Sequence, residues 1–115
     1  KAIFSGLEGG ESGTCLRRLP EINRVVLFWN NSKYKPKHHH FGERAPLTAA
    51  VSNDNGKTWR KLGNIGENMK AEYTNLDCFF TESGNAILTY MYAEPAWNRE
   101  AIHLKAALIP KIWFK

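Results

Sequence analysis

The sequence is poor in cysteine and contains no long apolar run. Its two cysteines, Cys15 and Cys78, lie far apart and have no metal-ligand spacing, although a disulfide between them stays open from the sequence alone. No segment approaches the roughly 18 consecutive apolar residues that a membrane-spanning helix needs, so no membrane partner is expected. Apolar residues also fail to keep a helical period over three turns, which argues against a helical fold.

Basic residues outnumber acidic residues, since the sequence has 16 Lys and Arg but only 11 Asp and Glu. Its formal net charge is therefore +5. This charge favours anionic partners but does not distinguish a nucleic acid from an acidic sugar or a membrane surface. Only Lys33, Lys35 and Lys37 form a compact basic run, where a solvated loop is the expected structure. Nucleic-acid binding needs a continuous basic face with exposed aromatic rings, so no nucleic-acid partner is expected.

Three consecutive histidines, His38, His39 and His40, invite a metal-binding interpretation. Adjacent residues in an extended chain point in alternating directions, however, and cannot all ligate one ion comfortably. We therefore predict a solvated loop here, no metal site and no cofactor. A histidine or lysine of this loop could still line a pocket.

Short β-branched and aromatic runs recur between turn residues, which predicts an all-β fold of antiparallel sheets. Residues 20–23 and 81–85 suit tight hairpin turns. Two longer connections, 30–46 and 93–100, carry charged and aromatic residues, and long loops on a β scaffold commonly hold function. The predicted strands are 14–19, 24–29, 47–52, 58–62, 74–80, 86–92 and 101–109, and residues 2–5 also look like a strand.

The two halves of the chain look like variations on one unit. Each contains an apolar strand, a turn, a second apolar strand ending in aromatics, a polar loop and a third strand, as RVVLFWNN and AILTYMYAEP illustrate. Repetition at about fifty residues is typical of propeller blades. We predict a single all-β unit over 1–115, with a first blade at about 14–62 and a second at about 72–109.

The most informative motif is SNDNGKTW, which matches the Asp-box pattern S-x-D-x-G-x-T-W at every defined position. Its carboxylate can accept hydrogen bonds from the turn, its glycine can take a positive φ, and its indole ring can be buried beneath the hairpin. The box stabilises a turn and performs no chemistry. Its defined residues are Ser52, Asp54, Gly56, Thr58 and Trp59.

Asp boxes recur in sialidases and in non-catalytic propellers, and two further segments make the likeness to exo-sialidases more specific. The segment RAPLTAAVS, which begins at Arg44, resembles the stretch in which that family carries an arginine before its last Asp-box strand. The segment EYTNL, which contains Tyr73, resembles the family's AYSDL segment around its catalytic tyrosine. The chain therefore resembles a C-terminal portion of an exo-sialidase, including two propeller blades.

The resemblance implies roles for both residues. Arg44 is one of three arginines that hold the carboxylate of sialic acid or another acidic glycan, a task that suits planar guanidinium geometry. Tyr73 is the nucleophile of a retaining glycoside hydrolase, which needs a nearby carboxylate as a base. That base, the acid/base aspartate and the other two arginines come from preceding blades. Neither Glu8 nor Glu11 matches their motifs, and Glu94 lies near the position of a glutamate that orients a triad arginine.

Whether the chain is an enzyme therefore stays open. The first interpretation is a sialidase-like portion that recognises an acidic sugar and is inactive alone, with Trp97 available to stack on a sugar face. The alternative is a non-catalytic Asp-box module that binds glycans or protein. A discriminating feature is whether Arg44 and Tyr73 converge on one concave surface.

Two blades cannot close a ring, and they leave apolar faces and strand edges uncovered. Self-association would cover these faces and edges. Three copies of two blades supply a six-bladed ring, in which residues 2–5 of a neighbour could add the missing outer strand. We therefore expect a homo-oligomer, a trimer if such a ring forms.

Overall fold

Seven antiparallel strands and one short 3-10 helix make up the regular structure, which confirms the all-β prediction. The computed structural model describes all of residues 1–115. Nothing helical in the chain has the length and apolarity to cross a membrane. The strands are β1 (Cys15–Arg18), β2 (Val25–Asn30), β3 (Leu47–Ser52), β4 (Arg60–Gly66), β5 (Glu72–Phe80), β6 (Ala86–Ala93) and β7 (Ile102–Ile109), and the 3-10 helix is Lys111–Phe114.

The strands form two sheets, a first of order β1-β2-β3-β4 and a second of order β5-β6-β7. Neighbours in the chain are neighbours in each sheet, and two of the connections are tight turns that a residue with positive φ makes possible. Between β1 and β2, Asn23 adopts φ +63°, and between β5 and β6, Gly84 adopts φ +86°. Both hairpin turns predicted from the sequence are therefore present.

The core lies between the two sheets. Phe28 of β2, Leu47 of β3 and Leu88 of β6 are fully buried, and Phe114 of the 3-10 helix packs edge-on against Phe28 with ring centroids 6.5 Å apart. The alternation of side chains along each strand directs every second residue towards this interior. The short C-terminal helix thus closes one end of the core.

Both cysteines belong to this core as free thiols. Burial is the main cause that raises the pKa of Cys78 to about 12, and burial also raises the pKa of Cys15. Because the thiolate is the reactive form, neither residue has the character of a nucleophile or a metal ligand. They act as small apolar side chains, and the disulfide left open by the sequence is absent.

The Asp-box turn joins β3 to β4. Asp54 accepts hydrogen bonds from the Thr58 hydroxyl (2.6 Å), the Thr58 backbone N–H (2.9 Å) and the Ser52 hydroxyl (2.7 Å). Gly56 takes φ +88°, and the half-buried Trp59 donates from its indole N–H to the Gly56 carbonyl at 3.1 Å. Since Thr58 belongs to this turn, β4 begins at Arg60 and runs to Gly66 rather than over the predicted 58–62.

Lowering the pH should weaken this turn by protonating Asp54, and a substitution at Asp54 can show this. The hydrogen bond from the Thr58 hydroxyl is the leading cause that lowers the pKa of Asp54 to about 2. An ionised Asp54 therefore stabilises the folded chain above about pH 4, and this contribution is lost as the pH falls through about 2. Thermal melts should show Asp54→Asn less stable than the parent at pH 7, with a difference that shrinks on acidification. Glu82→Gln, at an exposed turn position, should show no such trend, and a constant Asp54→Asn deficit across the range would contradict the assignment.

One face of the second sheet is uncovered. Successive cross-strand rows place Phe79 beside Ile87 and Leu108, and Met91 beside Leu104, on the face opposite the core. A run of this kind is unusual on a monomer, where exposed apolar residues are normally scattered. The exposed fractions are 67% for Phe79, 37% for Ile87, 38% for Ile102, 78% for Leu104 and 71% for Leu108.

The N-terminal segment does not form the strand expected at residues 2–5. Ile3 and Phe4 are exposed, and residues 2–5 pair with none of the seven strands. Further on, the segment lies across the first sheet, where the Glu8 carbonyl accepts a hydrogen bond of 2.8 Å from the Trp29 indole. The β-branched and aromatic composition of residues 2–5 is not enough to form a strand, because a strand also needs a hydrogen-bonded neighbour.

Candidate functional site

Arg44 is held at the junction of the two sheets. The side-chain amide of Asn30, at the end of β2, donates to the Arg44 carbonyl (3.0 Å) and to the Tyr73 carbonyl (3.1 Å). The Tyr73 backbone N–H in turn donates to the Arg44 carbonyl at 2.8 Å. Because Asn30 is buried, these bonds are protected from water and fix the backbone of Arg44 beside the start of β5.

A pocket of about 210 Å³ opens where Arg44 meets the uncovered face of the second sheet. Glu72 and Ile102, which belong to one cross-strand row, form part of its wall. Arg44 and Arg99 supply two guanidinium groups against the single carboxylate of Glu72. The charged groups that line the pocket therefore sum to a net positive charge, which suits an anion.

Arg99 and Glu72 form an ion pair of unequal burial. Arg99 Nη1 lies 2.9 Å from Glu72 Oε1, and the exposed fraction is 58% for the arginine side chain and 3% for the glutamate side chain. Glu72 Oε2 has no hydrogen-bond partner, and neither has Nε of Arg44. Buried polar groups are usually satisfied, so two orphaned atoms on residues that line one pocket are an unusual feature of this site.

The Trp97 ring contacts the guanidinium groups of both pocket arginines. The guanidinium carbons of Arg44 and Arg99 lie 5.0 Å and 5.2 Å from its ring centroid, which is within cation–π range. The His40 ring stacks on the same indole at 4.6 Å. Trp97 adopts φ +71°, a conformation that is uncommon for a bulky residue and that concentrates at functional sites.

His40 is a titratable side chain that contacts Trp97 at this site. Burial, followed by the neighbouring positive charge of Arg44, lowers its pKa from the ordinary histidine value. The Glu11 carboxylate, 3.7 Å from His40 Nδ1, opposes that shift. The imidazole is therefore neutral at pH 7, and it adds no further charge to the two arginines there.

Tyr73 lies apart from this pocket. Residues 72 and 73 are consecutive in β5, so their side chains point to opposite faces of the sheet, and Tyr73 enters the core with an exposed fraction of only 4%. Its ring packs against the Tyr90 and Tyr92 rings, at centroid distances of 5.7 Å and 5.4 Å. Its hydroxyl accepts a hydrogen bond from the Asn68 backbone N–H at 3.1 Å. The structure thus brings Arg44 and Trp97 together, while the Tyr73 hydroxyl lies in the interior.

The tyrosine that does border the pocket is Tyr92. Its hydroxyl donates to Glu94 and accepts from the Asn68 side-chain amide at 3.0 Å. The bond to Glu94 is the main cause that raises the pKa of Tyr92, and the same bond lowers the pKa of Glu94. Glu94 therefore holds this phenol protonated and contacts no arginine of the pocket.

The sequence alone did not identify Glu72 and Arg99 as site residues. Strand alternation could have separated Glu72 from Tyr73, since only one of two consecutive residues can face the core. The pairing of Glu72 with Arg99, 27 positions away, depends on how the loop after β6 folds back. No local sequence pattern predicts this pairing.

Turning to known proteins, no family model matches the chain, and neither the curated proteins nor the solved structures include a match.

Proposed function

We propose that this chain binds a small acidic sugar, such as sialic acid, in the Arg44–Arg99 pocket. The observation that carries the proposal is the convergence of two guanidinium groups, those of Arg44 and Arg99, on one pocket of about 210 Å³, beside the Trp97 ring that both groups contact. Guanidinium groups bind carboxylates through paired, charge-assisted hydrogen bonds, and the Trp97 ring contacts both groups by cation–π interaction. The resemblance of RAPLTAAVS to the arginine segment of exo-sialidases supports the same substrate class.

Binding without hydrolysis is what the geometry favours for the isolated chain. The Tyr73 phenol is buried on the far side of β5 from the pocket, and the Tyr92 phenol is held protonated by Glu94. Nucleophilic attack needs an activated nucleophile within reach of the bound sugar. Sialidase-type cleavage would therefore require further residues and a rearrangement of β5.

A pair of methyl glycosides tests this proposal directly. We expect the α-methyl glycoside of N-acetylneuraminic acid to cause saturable NMR shifts in amides near Arg44, Glu72 and Trp97, whereas the neutral methyl galactoside causes none. A fluorogenic sialoside, incubated with the same sample, should remain uncleaved. Equal binding of both glycosides would overturn acidic-sugar recognition, and turnover of the fluorogenic compound would overturn the non-catalytic interpretation.

The two sheets support a second proposal, that they are blades of a sialidase-type propeller. The Asp-box turn joins the third and fourth strands of the first sheet, and the sheets pack face to face around one core. The uncovered face of the second sheet is where a following blade would pack in such an architecture. A partner on this face would border the pocket, because the row containing Glu72 and Ile102 lies at its end.

Self-association through the uncovered face is the expected consequence, with a trimer if the blades close a six-bladed ring. Analytical ultracentrifugation should show a mass that rises with concentration. The double variant Leu104→Glu/Leu108→Glu should remain monomeric, because charges at these exposed positions oppose burial of the face. Ile22→Glu is the matched control, since Ile22 is 86% exposed in the β1–β2 turn. A parent that stays monomeric at all concentrations would exclude the assembly.

A further inference from the structure

Glu72 is a buried carboxylate that is only half satisfied. Its Oε1 atom pairs with Arg99, while its Oε2 atom has no partner in the protein. A buried acceptor without a donor lowers stability, because its hydration is lost and not replaced. A residue of this kind persists at a functional site when a ligand supplies the missing donor.

Arg44 presents the complementary deficiency. Its Nε–H has no acceptor, and none of its other side-chain nitrogens forms a hydrogen bond within the chain. Arg44 and Glu72 line the same pocket, so an unmet donor and an unmet acceptor border one space. A ligand hydroxyl has the chemistry to satisfy both atoms, since its oxygen can accept from Arg44 while its hydrogen is donated to Glu72.

A bare carboxylate cannot do the same. It can accept hydrogen bonds from the two guanidinium groups, but it has no hydrogen to donate to Glu72 Oε2, and two carboxylates in contact repel each other. Glu72 should therefore disfavour simple organic anions and favour anions that also carry hydroxyl groups.

We propose that Glu72 is a specificity-determining residue of the pocket, which selects hydroxylated sugar acids over plain carboxylic acids by accepting a hydrogen bond from a ligand hydroxyl. This inference rests on the proposed function, because it requires Arg44 to bind an anionic ligand. Arg99 holds Glu72 in place through Oε1. Both orphaned atoms are shielded from solvent, so a ligand hydroxyl reaches them only if a side chain of the pocket moves.

Two acids of similar ring size test the proposal on the parent chain. The first is D-glucuronate, which carries a carboxylate and hydroxyl groups, and the second is cyclohexanecarboxylate, which carries the carboxylate alone. We expect the parent to bind glucuronate roughly tenfold or more tightly in NMR titrations, as befits one hydrogen bond to a charged group. Equal affinity for the two acids overturns the role of Glu72 and leaves the proposed function standing. If neither acid binds, the proposed function fails and the inference fails with it.

The Glu72→Gln variant separates specificity from a structural role. Its amide keeps an acceptor for Arg99 but replaces the second acceptor with a donor and removes the negative charge. We expect weaker glucuronate binding, unchanged or tighter cyclohexanecarboxylate binding, and a melting temperature close to that of the parent. A uniform loss for both acids would show that Glu72 only positions the arginines, which contradicts the proposal. Should the variant unfold, the preference of the parent for one acid over the other still decides the question.

Discussion

Replacing Arg44 with alanine is expected to weaken binding of α-methyl N-acetylneuraminate by roughly 10- to 100-fold, the range that corresponds to losing one or two hydrogen bonds to a charged group. The side chain of Arg44 forms no hydrogen bond within the protein, and its one described contact is the cation–π contact with the Trp97 ring. Its removal should therefore leave the fold intact. The measurement is an NMR titration of parent and variant, accompanied by thermal melts.

Two further variants make the result specific. Arg44→Lys keeps the charge but loses the planar pair of donors, so it should recover only part of the affinity. Arg18→Ala removes an exposed arginine of β1 outside the pocket and should bind as the parent does. Equal losses in Arg44→Ala and Arg18→Ala would mean that the ligand responds only to the overall positive charge. That outcome would contradict a carboxylate site at Arg44.

The largest expected loss of stability comes from Phe28→Ala, which should lower the free energy of unfolding by about 3–5 kcal/mol. Phe28 lies at the centre of β2, opposite Cys15 on one side and Ala49 on the other, and it is fully buried. Its ring also contacts the ring of Phe114, which is itself buried. Alanine leaves a cavity where both sheets and the 3-10 helix meet. Urea denaturation followed by tryptophan fluorescence measures the change.

Phe79→Ala is the matched control for this experiment. The same substitution is made in a strand, but at a side chain that is 67% exposed on the uncovered face. At concentrations where the chain is monomeric, its effect should stay within about 0.5 kcal/mol, as is usual for surface positions. A loss at Phe79 similar to that at Phe28 would show that the uncovered face is packed in solution even in the monomer.

The strands and turns could be predicted because their signals are local. The β-branched and aromatic runs of β2 and β6, the turns at 20–23 and 81–85 and the Asp-box sequence each specify structure over a short stretch of chain. The two misplaced segments show where local signals end. Residues 2–5 have strand composition but no neighbouring strand, and Thr58 is taken up by the hydrogen bonds of the box.

The candidate site was less predictable because it is assembled from loops. Arg44 and Trp97 could be proposed individually, but their approach to one another depends on two long connections that carry no periodicity. The face on which Tyr73 lies depends on the register of β5, and a change of one residue reverses every side chain. The Glu72–Arg99 pair joins a strand to a loop that folds back across the sheet end. Such contacts follow from tertiary structure and not from sequence spacing.

The buried Asn30 amide has a consequence for how the molecule responds to a ligand. It ties the end of the first sheet to Tyr73 at the start of the second, and the same bonds fix Arg44. Arg99, by contrast, belongs to the loop that follows the second sheet's middle strand. A ligand that bridges Arg44 and Arg99 thus spans the junction between the two sheets. Ligand binding and the packing of one sheet on the other are therefore thermodynamically linked. Any change that separates the sheets also releases the ligand.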